Sequence, residues 1–218
     1  MKRTYIFDLD GTLINSLYDL ADSMNAVLEQ CGYPTFETER YKYFVGNGTL
    51  KLVERTVPEN ERNEKRINEL HDMFSAEYNK RCVDKTKPYD GIVDLLKFLK
   101  SNGNTIAVAS NKPDAFVKYI VGSIFEKNIF DIIEGKKDGV PTKPAPDIVY
   151  NVMEKVGALK NDTVMIGDSN VDVETAHNAG IKCIGCVWGF RGRKELEDAG
   201  ADYVVDKPAD IAKIDFAN

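Results

Sequence analysis

The chain has 218 residues, of which 43% are hydrophobic and 29% charged, and its formal net charge is -6 at pH 7. This composition indicates a globular chain and argues against a disordered or membrane protein. The length allows one α/β core of ordinary size plus a small second domain. The negative charge argues against broad binding to a polyanion, so we expect no nucleic-acid partner. No apolar run approaches the roughly 20 residues of a membrane span, and the N-terminal residues do not resemble a signal segment, so we expect a cytoplasmic protein without a membrane partner.

The first predicted element is a short buried strand at residues 5–7, where the chain is apolar. Asp8 and Asp10 follow this strand, and Gly11 and Thr12 come directly after them. In an open parallel α/β sheet, ligands bind where the strands end. Two carboxylates at such a place repel each other and lose hydration, and Mg²⁺ is the usual compensation. An ordinary Asp-Gly turn is the alternative, but the complete motif favours a functional site.

Helices are predicted after this motif. Apolar residues spaced by three and four predict an amphipathic helix that ends near Cys31, with Asn15 or Ser16 as its cap. No convincing strand appears in residues 36–81, where charged stretches and an apolar stripe favour helices. A compact helical insert therefore separates the first strand from the rest of the chain.

The second predicted strand, at residues 105–109, ends at Ser110 and Asn111, and a helix begins near Asp114. Hydroxyl, amide and helix N-terminal N–H groups suit a phosphate, although a plain N-cap turn explains the same residues nearly as well. The preceding helix is expected to bury four side chains, at Val93, Leu95, Leu96 and Leu99.

Two further strands, predicted at residues 130–133 and 163–166, precede the remaining charged groups. Lys143 lies among three prolines, and such a stiff frame can fix an ammonium over phosphate oxygens. Asp168 follows the second of these strands, and a helix that begins near residue 170 would bring Asp172 close to the same pocket. An Asp-rich N-cap loop is the alternative explanation. Strands at residues 182–187 and 203–205 complete the predicted core.

A Cys-x-x-Cys sequence stands at Cys183 and Cys186, but a strand places these side chains on opposite faces. No second ligand pair stands at a spacing that would suit zinc, so we predict structural thiols.

The groups at the strand ends follow a fixed order along the chain: two acids, then Ser-Asn, then Lys, then acids again. This order resembles the signatures of the haloacid-dehalogenase-like (HAD) hydrolases. The resemblance extends from Asp8 to Asp172. It implies an α/β fold with a Rossmann-like three-layer core, a parallel sheet and a small all-helical cap domain inserted after the first strand. The core would comprise residues 1–14 and 86–218, and the cap residues 15–85.

The resemblance also implies an Mg²⁺-dependent phosphatase. Asp8 would attack phosphorus to form an aspartyl-phosphate, and Asp10 would act as general acid and base. Mg²⁺ would be held by Asp8, Asp168 and the backbone carbonyl of Asp10, while Asp172 would support the metal shell or orient Lys143. The implied phosphate-binding residues are Ser110, Asn111, Lys143, Gly11 and Thr12.

Within the family, the chain looks most like the phosphoglycolate-phosphatase group. The motifs that carry this likeness are residues 45–48 in the cap and residues 188–191 after a core strand, and pyrophosphatase-like relatives share similar ones. We therefore expect a small phosphorylated metabolite, such as phosphoglycolate, as the substrate. Candidate specificity residues are Gly46, Asn47 and Gly48, which form a predicted exposed turn whose amides could meet a substrate, and Lys51, Arg55 and Arg191, which are chosen by charge and position.

Three further functions remain open at this stage, and the first is that of the pyrophosphatase-like relatives. A phosphomutase of the β-phosphoglucomutase type shares the core motifs but needs a cap that rejects water. An Asp-phosphorylated signalling module of the receiver kind also uses strand-end acids and a lysine, but it has no large insert after its first strand.

The sequence leaves the oligomeric state open between a monomer and a homodimer.

Overall fold

The computed structural model describes residues 2–216. Its strands, in chain order, are β1 (Thr4–Phe7), β2 (Ile14–Asn15), β3 (Lys87–Pro88), β4 (Thr105–Pro113), β5 (Ile132–Lys136), β6 (Thr163–Gly167), β7 (Lys182–Cys186) and β8 (Tyr203–Val205). Its α-helices are α1 (Leu17–Gln30), α2 (Thr49–Thr56), α3 (Glu64–Arg81), α4 (Ile92–Ser101), α5 (Asp114–Ile124), α6 (Asp147–Val156), α7 (Asn170–Ala179), α8 (Arg193–Asp198) and α9 (Pro208–Ile211). None of the described helices has both the length and the apolar character that crossing a bilayer requires.

Six strands form one parallel sheet in the order β5-β4-β1-β6-β7-β8. The first strand lies inside this sheet, where Phe7 is in register with Val108 of β4 on one side and Ile166 of β6 on the other. The polar residues that follow β1 and β6, and those in the last part of β4, therefore lie at the same edge of the sheet. This edge is where parallel α/β sheets bind their ligands.

The sheet is covered on both faces, as parallel sheets are. Side chains of β1 alternate: Tyr5 and Phe7 pack in the layer of α4, α5 and α9, whereas Ile6 packs in the layer of α6, α7 and α8. This arrangement confirms the predicted Rossmann-like three-layer core. The two thiols of the Cys-x-x-Cys sequence also divide between the layers, with Cys183 on one side and Cys186 on the other.

Helices α1, α2 and α3 form a helical insert, residues 17–81, between β1 and β4. The apolar stripe of α3 is buried as predicted, and it comprises Ile67, Leu70, Phe74 and Tyr78. Two short segments join the insert to the sheet, and they pair as the antiparallel strands β2 and β3. The buried Asp19 carboxylate accepts the backbone N–H groups of Lys85 and Thr86, which fixes the connection after the insert to the first helix of the insert.

Three predicted details of the core are wrong. Strand β5 begins at Ile132, two residues later than predicted, because Phe130 is buried by packing edge-on to Phe125 rather than by strand pairing. Strand β4 does not end at residue 109 but continues to residue 113, so Ser110 and Asn111 belong to it. Helix α4 buries Ile92 instead of Val93, because a stripe at residues 92, 95, 96 and 99 keeps the helical period.

Candidate active site

Three carboxylates lie together at the carboxyl edge of the sheet. Asp8 follows β1, Asp168 follows β6 and Asp172 lies in the first turn of α7. Each contributes an oxygen atom, and these atoms lie within 4.8 Å of one another. Asp168 and Asp172 are buried, with exposed fractions of 3% and 0%. The acids that were predicted from separate strand ends therefore form a single cluster.

The Lys143 ammonium lies between two of these acids. Its Nζ atom is 2.8 Å from Asp8 Oδ1 and 2.7 Å from Asp172 Oδ1. Burial by itself lowers the pKa of a lysine, but here the two carboxylates outweigh it, so the pKa of Lys143 is raised above its ordinary value. Lys143 thus remains charged and partly neutralises the cluster.

The cluster still carries an excess of negative charge. Burial, opposed by Lys143 and assisted by Asp172, raises the pKa of Asp8 to about 6. Burial and the charges of Asp172 and Asp8 raise the pKa of Asp168 well above its ordinary value. Both shifts have the same main origin, which is the burial of the carboxylates, and the charges of the neighbouring acids add to it. A divalent cation with a preference for hard oxygen ligands would remove this strain.

Glycines give the carboxylates their space. A Cβ atom at Gly167 would lie 2.2 Å from the Asp172 side chain, and one at Gly189 would lie 2.2 Å from Asp168 Cβ. Gly11 has φ +87°, and a Cβ there would lie 2.4 Å from Asp168 Oδ2. Side chains at these three positions would push Asp168 or Asp172 out of place, which explains the glycines there.

Hydrogen bonds fix the orientation of the two acids beyond β6. Asp172 Oδ2 accepts the Ser169 hydroxyl at 2.8 Å and the N–H of Asp168 at 3.2 Å, as part of the cap of α7. Asp168 accepts the N–H of Phe190 at 2.7 Å and the Thr12 hydroxyl at 3.4 Å. Thr12 therefore touches a carboxylate of the cluster through its side chain. The backbone N–H groups of Gly11 and Thr12 are donated to carbonyls inside their own turn.

Asn111 connects β4 to the loop that carries Lys143. Its side-chain oxygen accepts the N–H of Lys143 at 2.8 Å, and its amide nitrogen donates to the Lys143 carbonyl at 3.0 Å. The Asn111 side chain thus holds the lysine in place. The hydroxyl of neighbouring Ser110 accepts the N–H of Lys112 at 3.3 Å, which leaves its own proton available to a ligand in the pocket.

The Asp10 carboxylate forms a second, separate ion pair. Lys112 Nζ lies 2.9 Å and 2.8 Å from its two oxygens, and the Ser16 hydroxyl donates to one of them. Ser16 occupies the N-cap position of α1 but makes no side-chain cap hydrogen bond, and the Asn15 side chain accepts the Leu17 N–H. The sequence motifs did not predict a role for Lys112. The available signal was its place two residues after Ser110, because that spacing puts both side chains on one face of a strand.

A small pocket of about 40 Å³ lies between the helical insert and this edge of the sheet. Its described lining comprises Asp8, Asp10, Leu20, Val45, Gly46, Gly48, Thr49, Leu52, Ser110, Asn111 and Lys112. Asp8 and Asp10 of the first motif therefore lie in the same cavity as Gly46 and Gly48 of the insert. The volume corresponds to roughly three water molecules at about 10–15 Å³ each.

The remaining candidate residues lie around this pocket rather than in its described lining. The Asn47 side chain accepts an N–H of Arg55 at 2.7 Å, and Arg191 donates to the Val45 carbonyl at 2.9 Å, which joins the sheet side to the insert. Lys51 is half exposed and pairs with a glutamate of its own helix. The specificity roles of these residues remain predictions.

The chain was compared with known proteins. The sequence profile described as "Haloacid dehalogenase-like hydrolase" matches residues 5–186. A phosphoglycolate phosphatase of Aquifex aeolicus is 30% identical over 212 residues, which are 97% of this chain and 96% of that protein. A phosphoglycolate phosphatase of Psychrobacter arcticus is 36% identical over 212 residues, or 94% of this chain and 92% of that protein.

A solved structure gives the same result. A crystal structure from Lactobacillus delbrueckii subsp. bulgaricus, of a protein whose assignment as a phosphoglycolate phosphatase is itself a prediction, superposes with a TM-score of 0.91 at 33% identity. The similarity covers 98% of both chains. The match to the sequence profile, the similar sequences and the shared fold agree with the strand-end motifs, and the chain belongs to the haloacid dehalogenase-like hydrolase family.

Proposed function

We propose that this phosphoric monoester hydrolase is an Mg²⁺-dependent phosphatase that acts on phosphoglycolate or a metabolite of similar size through an aspartyl-phosphate. The observation that carries the proposal is the place of Asp8. Its carboxylate lies in a cluster of acids, 2.8 Å from the Lys143 ammonium, and faces the pocket under the helical insert.

The residues of the cluster fit the metal that the family implies. The donor set is three carboxylates whose oxygens lie within 4.8 Å of one another, and hard oxygen ligands suit Mg²⁺. Asp8 and Asp168 would hold the ion, and Asp172 is close enough to contribute or to act through Lys143. When bound, Mg²⁺ would neutralise charge on the phosphoryl group and on the acids.

The chain supplies the groups for two successive displacements at phosphorus. An oxygen of Asp8 attacks phosphorus, the bond to the leaving oxygen breaks, and Asp10 donates a proton to that oxygen. Water then attacks the aspartyl-phosphate, Asp10 takes a proton from the water, and phosphate leaves as Asp8 is restored. Lys143 and the Ser110 hydroxyl would bind the equatorial oxygens, because both groups are donors at the same edge of the sheet.

The helical insert would act as the cap that closes the site. Val45, Gly48 and Thr49 of its turn contribute to the pocket wall, and the two linkers that pair as β2 and β3 join it to the sheet. The full-length similarity to phosphoglycolate phosphatases supports phosphoglycolate as the first compound to test.

The test is phosphate release by the purified protein from phosphoglycolate and from a panel of sugar phosphates, with Mg²⁺ and with EDTA. We expect release that requires Mg²⁺, the highest kcat/KM with phosphoglycolate or a compound of its size, and loss of activity in Asp8→Asn. Asp94→Asn, an exposed acid on α4, is the matched control and should behave as wild type. Interconversion of sugar phosphates without release would indicate a phosphomutase, and stable phosphorylation without turnover would indicate a signalling module; either result contradicts the proposal.

A further inference from the structure

Lys112 is a buried cation at the pocket for which the chemistry above assigns no role. Only 4% of the residue is exposed, although it lines the pocket together with Asp8 and Asp10. Its ammonium contacts both oxygens of Asp10, at 2.9 Å and 2.8 Å. A carboxylate that is held at both oxygens cannot rotate freely about its terminal bond, so this contact fixes the direction in which Asp10 faces.

The other side of the ammonium faces the helical insert. Lys112 Nζ lies 4.8 Å from the ring centroid of Tyr78, which belongs to α3, and this geometry is a cation–π contact. The Tyr78 ring is itself fixed, because it stacks on Phe74 at 5.5 Å and meets Phe116 of α5 edge-on at 5.3 Å. Tyr78 is completely buried, and its hydroxyl completes no hydrogen bond among the described residues, although it lies near enough to Lys112 to help raise the pKa of that lysine. The ring and the hydroxyl of Tyr78 therefore both lie beside the ammonium.

We propose that Lys112 is a positioning residue that aims Asp10 for proton transfer, and that Tyr78 of the helical insert holds Lys112 in place. The inference rests on the proposed function, because it requires Asp10 to act as the general acid and base. It adds that the insert contributes to the chemistry through α3, at a residue that does not appear in the described pocket lining. The Asp10 carboxylate is aimed only while α3 is packed against the sheet edge.

Leaving-group dependence separates positioning from a general structural role. Release of an alkoxide from phosphoglycolate needs a proton from Asp10, whereas release of p-nitrophenolate needs little help. In single-turnover experiments, Lys112→Met should slow phosphoryl transfer from phosphoglycolate by about 10²-fold, which is the cost of a misplacement of about 1 Å. Transfer from p-nitrophenyl phosphate should stay within a few-fold of wild type.

Two further substitutions test the contact with the insert. Tyr78→Leu removes the ring and should show the same selective loss on phosphoglycolate, to a smaller extent. Tyr78→Phe keeps the ring and should behave as wild type with both substrates. Lys100→Met is the matched control. Lys100 lies in the last turn of α4, before the start of β4 and thus at the opposite edge of the sheet. Its Nζ atom pairs with Asp131 Oδ1 at 2.6 Å. This variant should leave both rates unchanged.

Equal losses with both substrates in Lys112→Met would overturn the inference, because they indicate general damage to the site. If Lys112→Met does not fold, Tyr78→Leu decides: a selective loss supports the inference, and an equal loss or none overturns it. Failure of the proposed function would appear separately, as wild-type protein that releases no phosphate from either substrate, and it would overturn the inference as well.

Discussion

Replacing Lys143 by methionine removes the ammonium between Asp8 and Asp172 while it keeps a side chain of similar length. The lysine side chain is 1% exposed, and its nitrogen makes ion pairs of 2.8 Å and 2.7 Å. Removing one partner of a buried ion pair costs about 3–5 kcal/mol, because the remaining charge is left uncompensated. We therefore expect Lys143→Met to lose about 3–5 kcal/mol of unfolding free energy in EDTA.

Urea unfolding of a double-mutant cycle measures this effect. The cycle contains wild type, Lys143→Met, Asp172→Asn and the double variant, all in EDTA. The double variant should be less destabilised than the sum of the single variants, with a coupling energy of roughly 0.5–3 kcal/mol for residues in contact. Lys118→Met is the control, since Lys118 is a surface lysine that pairs with Asp114 within α5.

Either of two results would contradict this role of Lys143. One is a Lys143→Met protein whose unfolding free energy lies within about 0.5 kcal/mol of wild type, as is usual for surface substitutions. The other is strict additivity in the cycle, because it would mean that Lys143 and Asp172 do not interact in solution. In both cases the ammonium would not be the group that holds the acids together.

The pKa of Asp8, about 6 against an ordinary 3.8, lies higher in the folded state. In EDTA the stability that Asp8 contributes should therefore be complete below pH 4 and be lost as pH rises to about 6. Urea unfolding of wild type and of Asp8→Asn over this pH range checks the expectation. A difference in unfolding free energy between the two proteins that is constant with pH would contradict it. Gly167→Ala places a Cβ 2.2 Å from Asp172, so it should lower the unfolding free energy by about 1–3 kcal/mol and remove most of the activity. Gly122→Ala is the control and should not destabilise the protein, because no atom lies within 4 Å of the added Cβ. Thermal unfolding and phosphate release measure both effects. Mg²⁺ should raise the Tm of wild type more than that of Asp168→Asn, and equal shifts would place the ion elsewhere.

Much of the site could be predicted from the sequence because strand ends are local features. Each of Asp8, Ser110 and Asp168 follows or ends an apolar run, and a parallel sheet brings such ends to one edge. The helix start near residue 170 was also visible, and it placed Asp172 correctly beside the cluster.

The parts that escaped prediction depend on contacts between distant segments. Lys112 and Asp10 are 102 positions apart in the chain, and no local pattern pairs them. Tyr78 reads as one more apolar residue of a helical stripe, and only the packing of the insert shows that its ring meets a lysine. Strands β2 and β3 have two residues each, which is too short for a periodic signal, although they join the insert to the sheet.

In the proposed function, Asp8 carries the phosphoryl group during turnover. The most direct test is to mix the protein with phosphoglycolate and Mg²⁺, quench in acid within one turnover, reduce with borohydride and sequence the peptides by mass spectrometry. Borohydride reduces an aspartyl-phosphate to homoserine, so we expect homoserine at position 8 in wild type but not in samples without substrate. Phosphate release with no modification at Asp8, or with modification at another carboxylate, would contradict it.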